Sequence, residues 1–302
     1  TRKAHIDFMK CDQDRKNSLL ASWLVDKLLN ECGIKNAVLE NDITIYDEWT
    51  PIGKYANDNT KKPYSGTFDG GGKTVTFENI THKNTAMYAS GLFQMLAGTV
   101  KNLIIDGSIS RTATGSIGGV VGYLDGGTIE NCVNKATITN SATNGTGGIV
   151  GCLGTAGGKI TGCINLAKVS SSQSTVGGIV DATGVISGTS NVSISKCINM
   201  GEISALSNVA GILGLAYPIT IENCINLGKI TSTESGEIYS YTAGIVIPSD
   251  NIIVKNCINA GLVTNKFPIG AITGEKEKGT YTNNYYDSKI NSNVLDSYID
   301  GI

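Results

Sequence analysis

Ile129-Glu130-Asn131-Cys132-Val133-Asn134 is followed along the chain by four versions of itself: Ile160-Thr161-Gly162-Cys163-Ile164-Asn165, Ile194-Ser195-Lys196-Cys197-Ile198-Asn199, Ile221-Glu222-Asn223-Cys224-Ile225-Asn226 and Val254-Lys255-Asn256-Cys257-Ile258-Asn259. Val100-Lys101-Asn102-Leu103-Ile104-Ile105 is a degenerate sixth. The cysteines recur at intervals of 31, 34, 27 and 33 residues, so one supersecondary unit is copied along the chain. A second phrase keeps step with the first: Gly118-Gly119-Val120-Val121-Gly122, Gly147-Gly148-Ile149-Val150-Gly151, Gly177-Gly178-Ile179-Val180, Ala210-Gly211-Ile212-Leu213-Gly214 and Ala243-Gly244-Ile245-Val246. Short runs of Ile, Val and Thr bounded by Gly, Asn and Ser read as strands and turns. No unit carries the apolar periodicity over about 10–15 residues that a helix requires.

In a sandwich, no position has to match its counterpart one hairpin later. In a coil wound once per repeat, each residue sits about 4.8 Å from its equivalent in the next rung, and identity at equal phase follows. The reading is an all-β, single-stranded parallel β-helix. Ile and Cys form inward ladders (Cys132, Cys163, Cys197, Cys224, Cys257), and Asn134, Asn165, Asn199, Asn226 and Asn259 form a turn ladder whose amides hydrogen-bond from rung to rung. Right-handedness is the expectation from parallel crossover connections. We expect one domain over 1–302 with about nine or ten rungs. Residues 14–33 read as a capping helix, because Leu19, Leu20, Trp23, Leu24 and Leu28 recur at helical spacing and Gly33 terminates them. Residues 37–99 form non-repeating first rungs, 100–290 the repeat rungs, and 291–302 a tail; Tyr281, Tyr285 and Tyr286 close the last rung.

Composition narrows the partners. The 302 residues include 38 glycines, which would signal disorder if unperiodic, but 40% hydrophobic content at fixed phase supplies a core. Net charge is −2 with both signs scattered, so neither nucleic acid nor an anionic membrane is an expected partner. No apolar run reaches the ~20 residues a bilayer requires. The charged start Thr1-Arg2-Lys3-Ala4-His5 lacks the hydrophobic stretch of a signal peptide and reads as a mature or trimmed chain. Eight cysteines invite disulfides, but stacked side chains run parallel with Cβ atoms about 4.8 Å apart, beyond the ~3.5–4.5 Å of a bridge. The repeat cysteines therefore read as small buried hydrophobes. Off the ladder lie Cys11, Cys32 and Cys152, and Cys11 with Cys32 is the one pair to consider.

The segment order resembles that of secreted bacterial right-handed β-helix proteins with GLUG-type repeats, which occur in surface adhesins and beside the catalytic part of IgA-cleaving metallopeptidases. The resemblance rests on Trp49-Thr50-Pro51-Ile52-Gly53, Tyr64-Ser65-Gly66-Thr67-Phe68-Asp69-Gly70-Gly71-Gly72, Gly91-Leu92-Phe93 and Asn283-Asn284-Tyr285-Tyr286-Asp287. Gln94 stands where that family has a second Gly after its Gly-Leu-Phe. What the resemblance implies is fold and an extracellular or cell-surface location. It implies no common chemistry.

Candidate chemistry is sparse. Thr67 to Thr74 imitates the end of a phosphate-binding loop, but Thr67 replaces its first Gly and no long helix follows, so it reads as a tight turn. The histidines, His5 and His82, cannot make the paired-histidine site of a metallopeptidase. Polysaccharide cleavage needs two carboxylates about 5–9.5 Å apart. Glu130 and Glu222 share a phase but stand about 14 Å apart, with two rungs between them. Asp181, where Gly122 and Gly151 stand in earlier units, reads as a surface residue in a turn. Exposed aromatic platforms for carbohydrate are sought among Trp49, Tyr55, Tyr64, Tyr88, Tyr123, Tyr239 and Tyr241, which do not recur at one phase. The long loop carrying Tyr239 and Tyr241 is the candidate ligand loop. The expectation is thus a monomeric, non-catalytic adhesion or binding module with no cofactor, no metal and no catalytic residue, whose partner is a host or environmental protein or glycan. The alternatives are a structural spacer of a larger surface protein and a polysaccharide-active enzyme.

Overall fold

The computed structural model describes residues 3–6, 35–46, 49–55, 61–183, 192–233, 241–248, 251–264, 269–274 and 279–292. The proposed capping helix, Cys11, Cys32 and Tyr239 lie outside the described residues. Every regular element described is a β-strand, and every strand pairing is parallel. The chain is a parallel β-solenoid. One sheet takes ten strands, from Lys3–Ile6 through Asn36–Leu39 and Thr67–Asp69 to Gly279–Thr282. The Ala89–Ser90 strand begins a seven-stranded sheet, Phe93–Leu96 a six-stranded one, and the remaining wall is a fourteen-stranded sheet. Nine or ten rungs thus hold where the ten-stranded sheet is counted, whereas the seven-stranded wall counts about seven turns.

Each repeated phrase turns one corner. Ile129 and Cys132 both point inward although three residues apart, and simple strand alternation forbids that. Asn131 between them resolves it: its φ of 51° is left-handed and resets the alternation. The same place is held by Asn102, Gly162, Lys196, Asn223, Asn256 and Asn283, with φ of 53°, 64°, 55°, 56°, 54° and 52°. Asn and Gly tolerate this region best, which is why the residue before the cysteine is so often Asn.

Beyond the corner the alternation places Cys132 in, Val133 out and Asn134 in. One expectation is therefore corrected. Ile129, Ile160, Ile194 and Ile221 are fully buried, whereas the isoleucine after each cysteine faces outward: Ile164, Ile198 and Ile225 are half-buried and Ile258 is exposed. The asparagines are wholly buried inside the solenoid.

Why the two phrases keep step is visible across the interior. A Cβ on Gly148 would lie 2.7 Å from the side chain of Asn165, one on Gly178 2.6 Å from Asn199, and one on Gly211 2.4 Å from Asn226. The second glycine of each Gly-Gly phrase is thus the wall against which the asparagine rests. At the far end Tyr281 and Tyr286 pack partly against the core, while Tyr285 continues the outward column from Ile258.

Candidate functional site

The ladder residues make a continuous polar spine. Asn134 Nδ2 donates to Asn165 Oδ1 at 2.8 Å, Asn165 to Asn199 at 2.8 Å, Asn199 to Asn226 at 2.7 Å and Asn226 to Asn259 at 2.7 Å. Each Nδ2 also donates to the backbone carbonyl two residues on, at Ala136, Ala167, Gly201, Gly228 and Gly261. The spine ends where the pattern ends, with Ile105 below Asn134 and Tyr286 above Asn259. Cys132, Cys163, Cys197, Cys224 and Cys257 are buried free thiols, each 3.3–3.5 Å from the carbonyl two residues before it. Burial, and then contact with the Cys132 thiol, pushes the Cys163 thiol well up. At Cys197 and Cys224 the contact with the preceding rung's thiol is the larger cause, followed by burial. These groups carry structure, and none is an activated nucleophile.

The candidate ligand loop is not an aromatic platform at its described end. Tyr241 is half-buried and packs on Ala210, Ala243 and Ile247, with its backbone N–H donating to Asn208 Oδ1 at 2.9 Å. Two other candidates are core residues. Trp49 is 7% exposed and donates its indole N–H to Leu92 O, and Tyr64 is 1% exposed against Phe93.

Three tyrosines from separate places do come together. Tyr55 stacks on Tyr123 at 4.7 Å between ring centroids and on Tyr88 at 5.3 Å. Lys61 Nζ lies 5.1 Å from the Tyr55 ring centroid and 5.9 Å from that of Tyr123, and 3.9 Å from Asp125 Oδ2. Tyr88 is 50% exposed, and Tyr55 and Tyr123 are half-buried beneath it. Burial, with Cys152, Tyr55 and Asp125 adding to it, pushes the Tyr123 phenol up, so it stays neutral.

Gln94 builds this cluster. It falls in the same column as Gly122, Gly151, Asp181 and Gly214, between the paired neighbours Phe93 with Val121 and Met95 with Tyr123. Its amide clasps the 49–55 segment both ways: Tyr55 N–H donates to Gln94 Oε1 and Gln94 Nε2 donates to Tyr55 O, each at 3.2 Å. Gln94, in a column otherwise held largely by glycine, thereby sets Tyr55 between Tyr88 and Tyr123. Sequence reasoning missed this grouping because the tyrosines occupy three different phases. The available signals were Gln94 in a glycine column and the outward phase of Tyr123.

Asp181 is the other departure in that column, and here the expectation is overturned. It is a strand residue in Val180–Thr183, 1% exposed, not a surface residue in a turn. Burial pushes its carboxyl well above the usual range, against hydrogen bonds from the Thr175 side chain and the Thr146 backbone. Its Oδ1 and the Thr146 hydroxyl have no partner. The neighbouring Cys152 thiol is pushed up to about 12 by burial and by Asp181 and Asp125. No second carboxylate joins Asp181 at equal phase, since the column holds Gly151 and Gly214 on either side. Glu130 and Glu222 are likewise separated by Thr161 and Ser195. Among the described residues, no group of three or more His, Cys, Asp or Glu is arranged to hold a metal ion. A concavity of about 460 Å³ lies beside the ten-stranded sheet, lined by Asn36, Ser65, Thr67, Thr99 and Thr128 among others.

With the geometry in hand, known proteins offer two points of comparison. Residues 113–139 match the family model described as the GLUG motif. A solved structure from Bacteroides ovatus, of a candidate immunoglobulin A1 protease, has a TM-score of 0.56 to this chain at 22% identity, covering 83% of this chain and 68% of that one. That likeness is one of fold. No curated protein matches the sequence.

Proposed function

From a parallel β-solenoid that matches the GLUG motif over residues 113–139, we infer a non-catalytic binding module that works outside the bacterial cell or on its surface. The ligand is a host or environmental protein or glycan, and its contact site is the Tyr55, Tyr88 and Tyr123 cluster. The observation that carries this reading is a row of three tyrosines, exposed Tyr88 against half-buried Tyr55 and Tyr55 against half-buried Tyr123, with Lys61 over the Tyr55 and Tyr123 rings and Asp125 beside it. Aromatic faces bordered by charge and held on a rigid scaffold bind sugar rings and apolar side chains at little entropic cost. The description of the Bacteroides ovatus relative favours a host-facing setting. A second reading, a structural spacer, is favoured by the unbroken asparagine spine.

The test is binding of the purified chain to glycan and host-matrix panels, with reducing-end assays alongside. Replacing Tyr88 and Tyr123 by Ala is expected to weaken binding at least about tenfold without lowering Tm by more than a few degrees. Binding that survives the double substitution refutes this site. Released reducing ends that vanish in Asp181→Asn favour the polysaccharide-active alternative, and a chain that binds neither panel favours the spacer.

A further inference from the structure

The column that points away from the cysteines and asparagines is apolar. Val133, Ile164, Ile198, Ile225, Ile258 and Tyr285 pair in register along it. Two residues further on, Leu166, Met200 and Leu227 form a second outward column, 42%, 51% and 46% exposed. Their N–H groups donate to Asn134 O, Asn165 O and Asn199 O, which keeps the columns aligned. The result is a two-column stripe of Ile, Leu and Met open to solvent. Scattered exposed apolar residues need no explanation, whereas a contiguous patch bordered by polar groups marks a contact surface.

The border indicates what covers it. Lys168, Glu202 and Lys229, all exposed, follow one another in register along one side, and Lys168 Nζ lies 3.9 Å from Glu202. We propose that the stripe is the contact between two copies of this chain, packed antiparallel about a two-fold axis. That axis crosses the stripe between the Cys197 and Cys224 rungs. It sets Ile198 of one copy on Ile225 of the other and Met200 on Leu227. It also sets Glu202 of each copy opposite Lys229 of the other, while Lys168 meets Leu262. The charged border is thus self-complementary under this axis, as an isologous interface demands. The first column runs from Val133 to Tyr285 over five rung spacings, about 24 Å, while the second, about 7 Å away, is apolar and bulky on three rungs, from Leu166 to Leu227 over about 10 Å, and gives way to Lys135 on one side and to Ala260 and Asp287 on the other. This is smaller than the ~800 Å² per partner of stable complexes, so the association belongs to the weak, concentration-dependent class. The proposal replaces the monomer expected from sequence and does not depend on the tyrosine cluster.

Sedimentation velocity on the whole chain, from about 10 µM to 1 mM, tests it. The wild type is expected to shift from monomer to dimer across that range. Met200→Glu with Leu227→Glu is expected to weaken association at least about tenfold while leaving Tm and the far-ultraviolet circular dichroism unchanged, since both side chains already face water. Glu202→Lys is expected to weaken it too, and adding Lys229→Glu is expected to restore it. A wild type that stays monomeric at 1 mM overturns the proposal, as does a dimer indifferent to the stripe variants. A dimer that the double charge reversal fails to rescue overturns the antiparallel arrangement.

Discussion

Ile194 and Ile198 stand four residues apart in one phrase, each in a column of like residues, yet they have opposite fates. Ile194 is wholly buried between Ile160 and Ile221; Ile198 lies between Ile164 and Ile225 on the outside. Repetition at equal phase therefore reports that residues stack, and it is silent on which side of the wall they stack. The side is set by the left-handed residue between them, Lys196, and by the asparagine that follows. Once Asn199 is inside and bonded to its neighbours, Ile198 has no choice but to face out.

The largest expected effect separates the two columns directly. Ile194→Asp removes a core side chain and buries a carboxylate without a partner, and each of those costs several kcal/mol. The middle of the solenoid is expected to unfold, because each rung is supported only by its neighbours. Ile198→Asp places the charge at a half-exposed site and is expected to cost about 1 kcal/mol or less. Thermal unfolding followed by circular dichroism checks both, and equal losses in Tm would remove the distinction between the columns.

A second contrast sharpens the first by using one residue type on both sides. Asn199 is buried, donates to Asn226 Oδ1 and Gly201 O, and accepts from Asn165. Asn199→Ala strands polar groups on two rungs and is expected to cost about 3 kcal/mol. Asn223 is exposed at the corner with φ 56°, and its amide oxygen accepts from Asn256 at 3.3 Å. Asn223→Ala is expected to cost about 1 kcal/mol, mostly backbone strain, and Asn223→Gly is expected to recover most of it. Chemical denaturation midpoints at constant m-value are the measurement. An Asn199→Ala midpoint no lower than that of Asn223→Ala would show that the spine contributes little.

The architecture and its ladders were legible in the sequence because stacking forces Cys132, Cys163, Cys197, Cys224 and Cys257 into one column, and that constraint is written as identity. The side assignment was not legible, because hydrophobicity alone favours Ile inward and Asn outward. The structure keeps the isoleucine before the corner inside but turns the one after the cysteine outward and the asparagine inward, since the amides satisfy one another and the backbone in a ladder. The tyrosine cluster was hidden for a different reason. Tyr55, Tyr88 and Tyr123 meet through the clasp of Gln94 on a non-repeating segment, and no periodicity records that contact. Asp181 was misread because a lone charged residue in a Gly-rich phrase ordinarily faces water. Here the glycine of the adjacent rung, Gly145, leaves room for its carboxylate: a Cβ there would lie 1.9 Å from Asp181 Oδ2.

That buried carboxylate yields an effect seen only as a difference across pH, and one with a definite sign. Burial holds the Asp181 carboxyl protonated above the pH at which an aspartate in the unfolded chain, near 3.8, loses its proton. Between those two values the folded chain binds more protons than the unfolded one, so stability falls as pH rises from about 4. His82 works the other way. Burial, with Arg111 adding to it, lowers its pKa from 6.5 to about 4, so its contribution is present above 6.5 and is lost as pH falls toward 4. The two slopes oppose one another in the wild type, and only a difference measurement isolates Asp181. Asp181→Asn keeps the shape and removes the titration. Its Tm relative to wild type is expected to be lowest near pH 4 and to rise toward neutrality, as the parent alone accumulates the cost of a buried charge. His82→Gln serves as the counterpart, with a Tm difference from wild type that moves in its favour as pH falls from 6.5 toward 4. A constant difference between Asp181→Asn and the parent from pH 4 to 8 would mean that the carboxylate ionises as freely in the fold as in the unfolded chain, and would place Asp181 with the outward column instead of the interior.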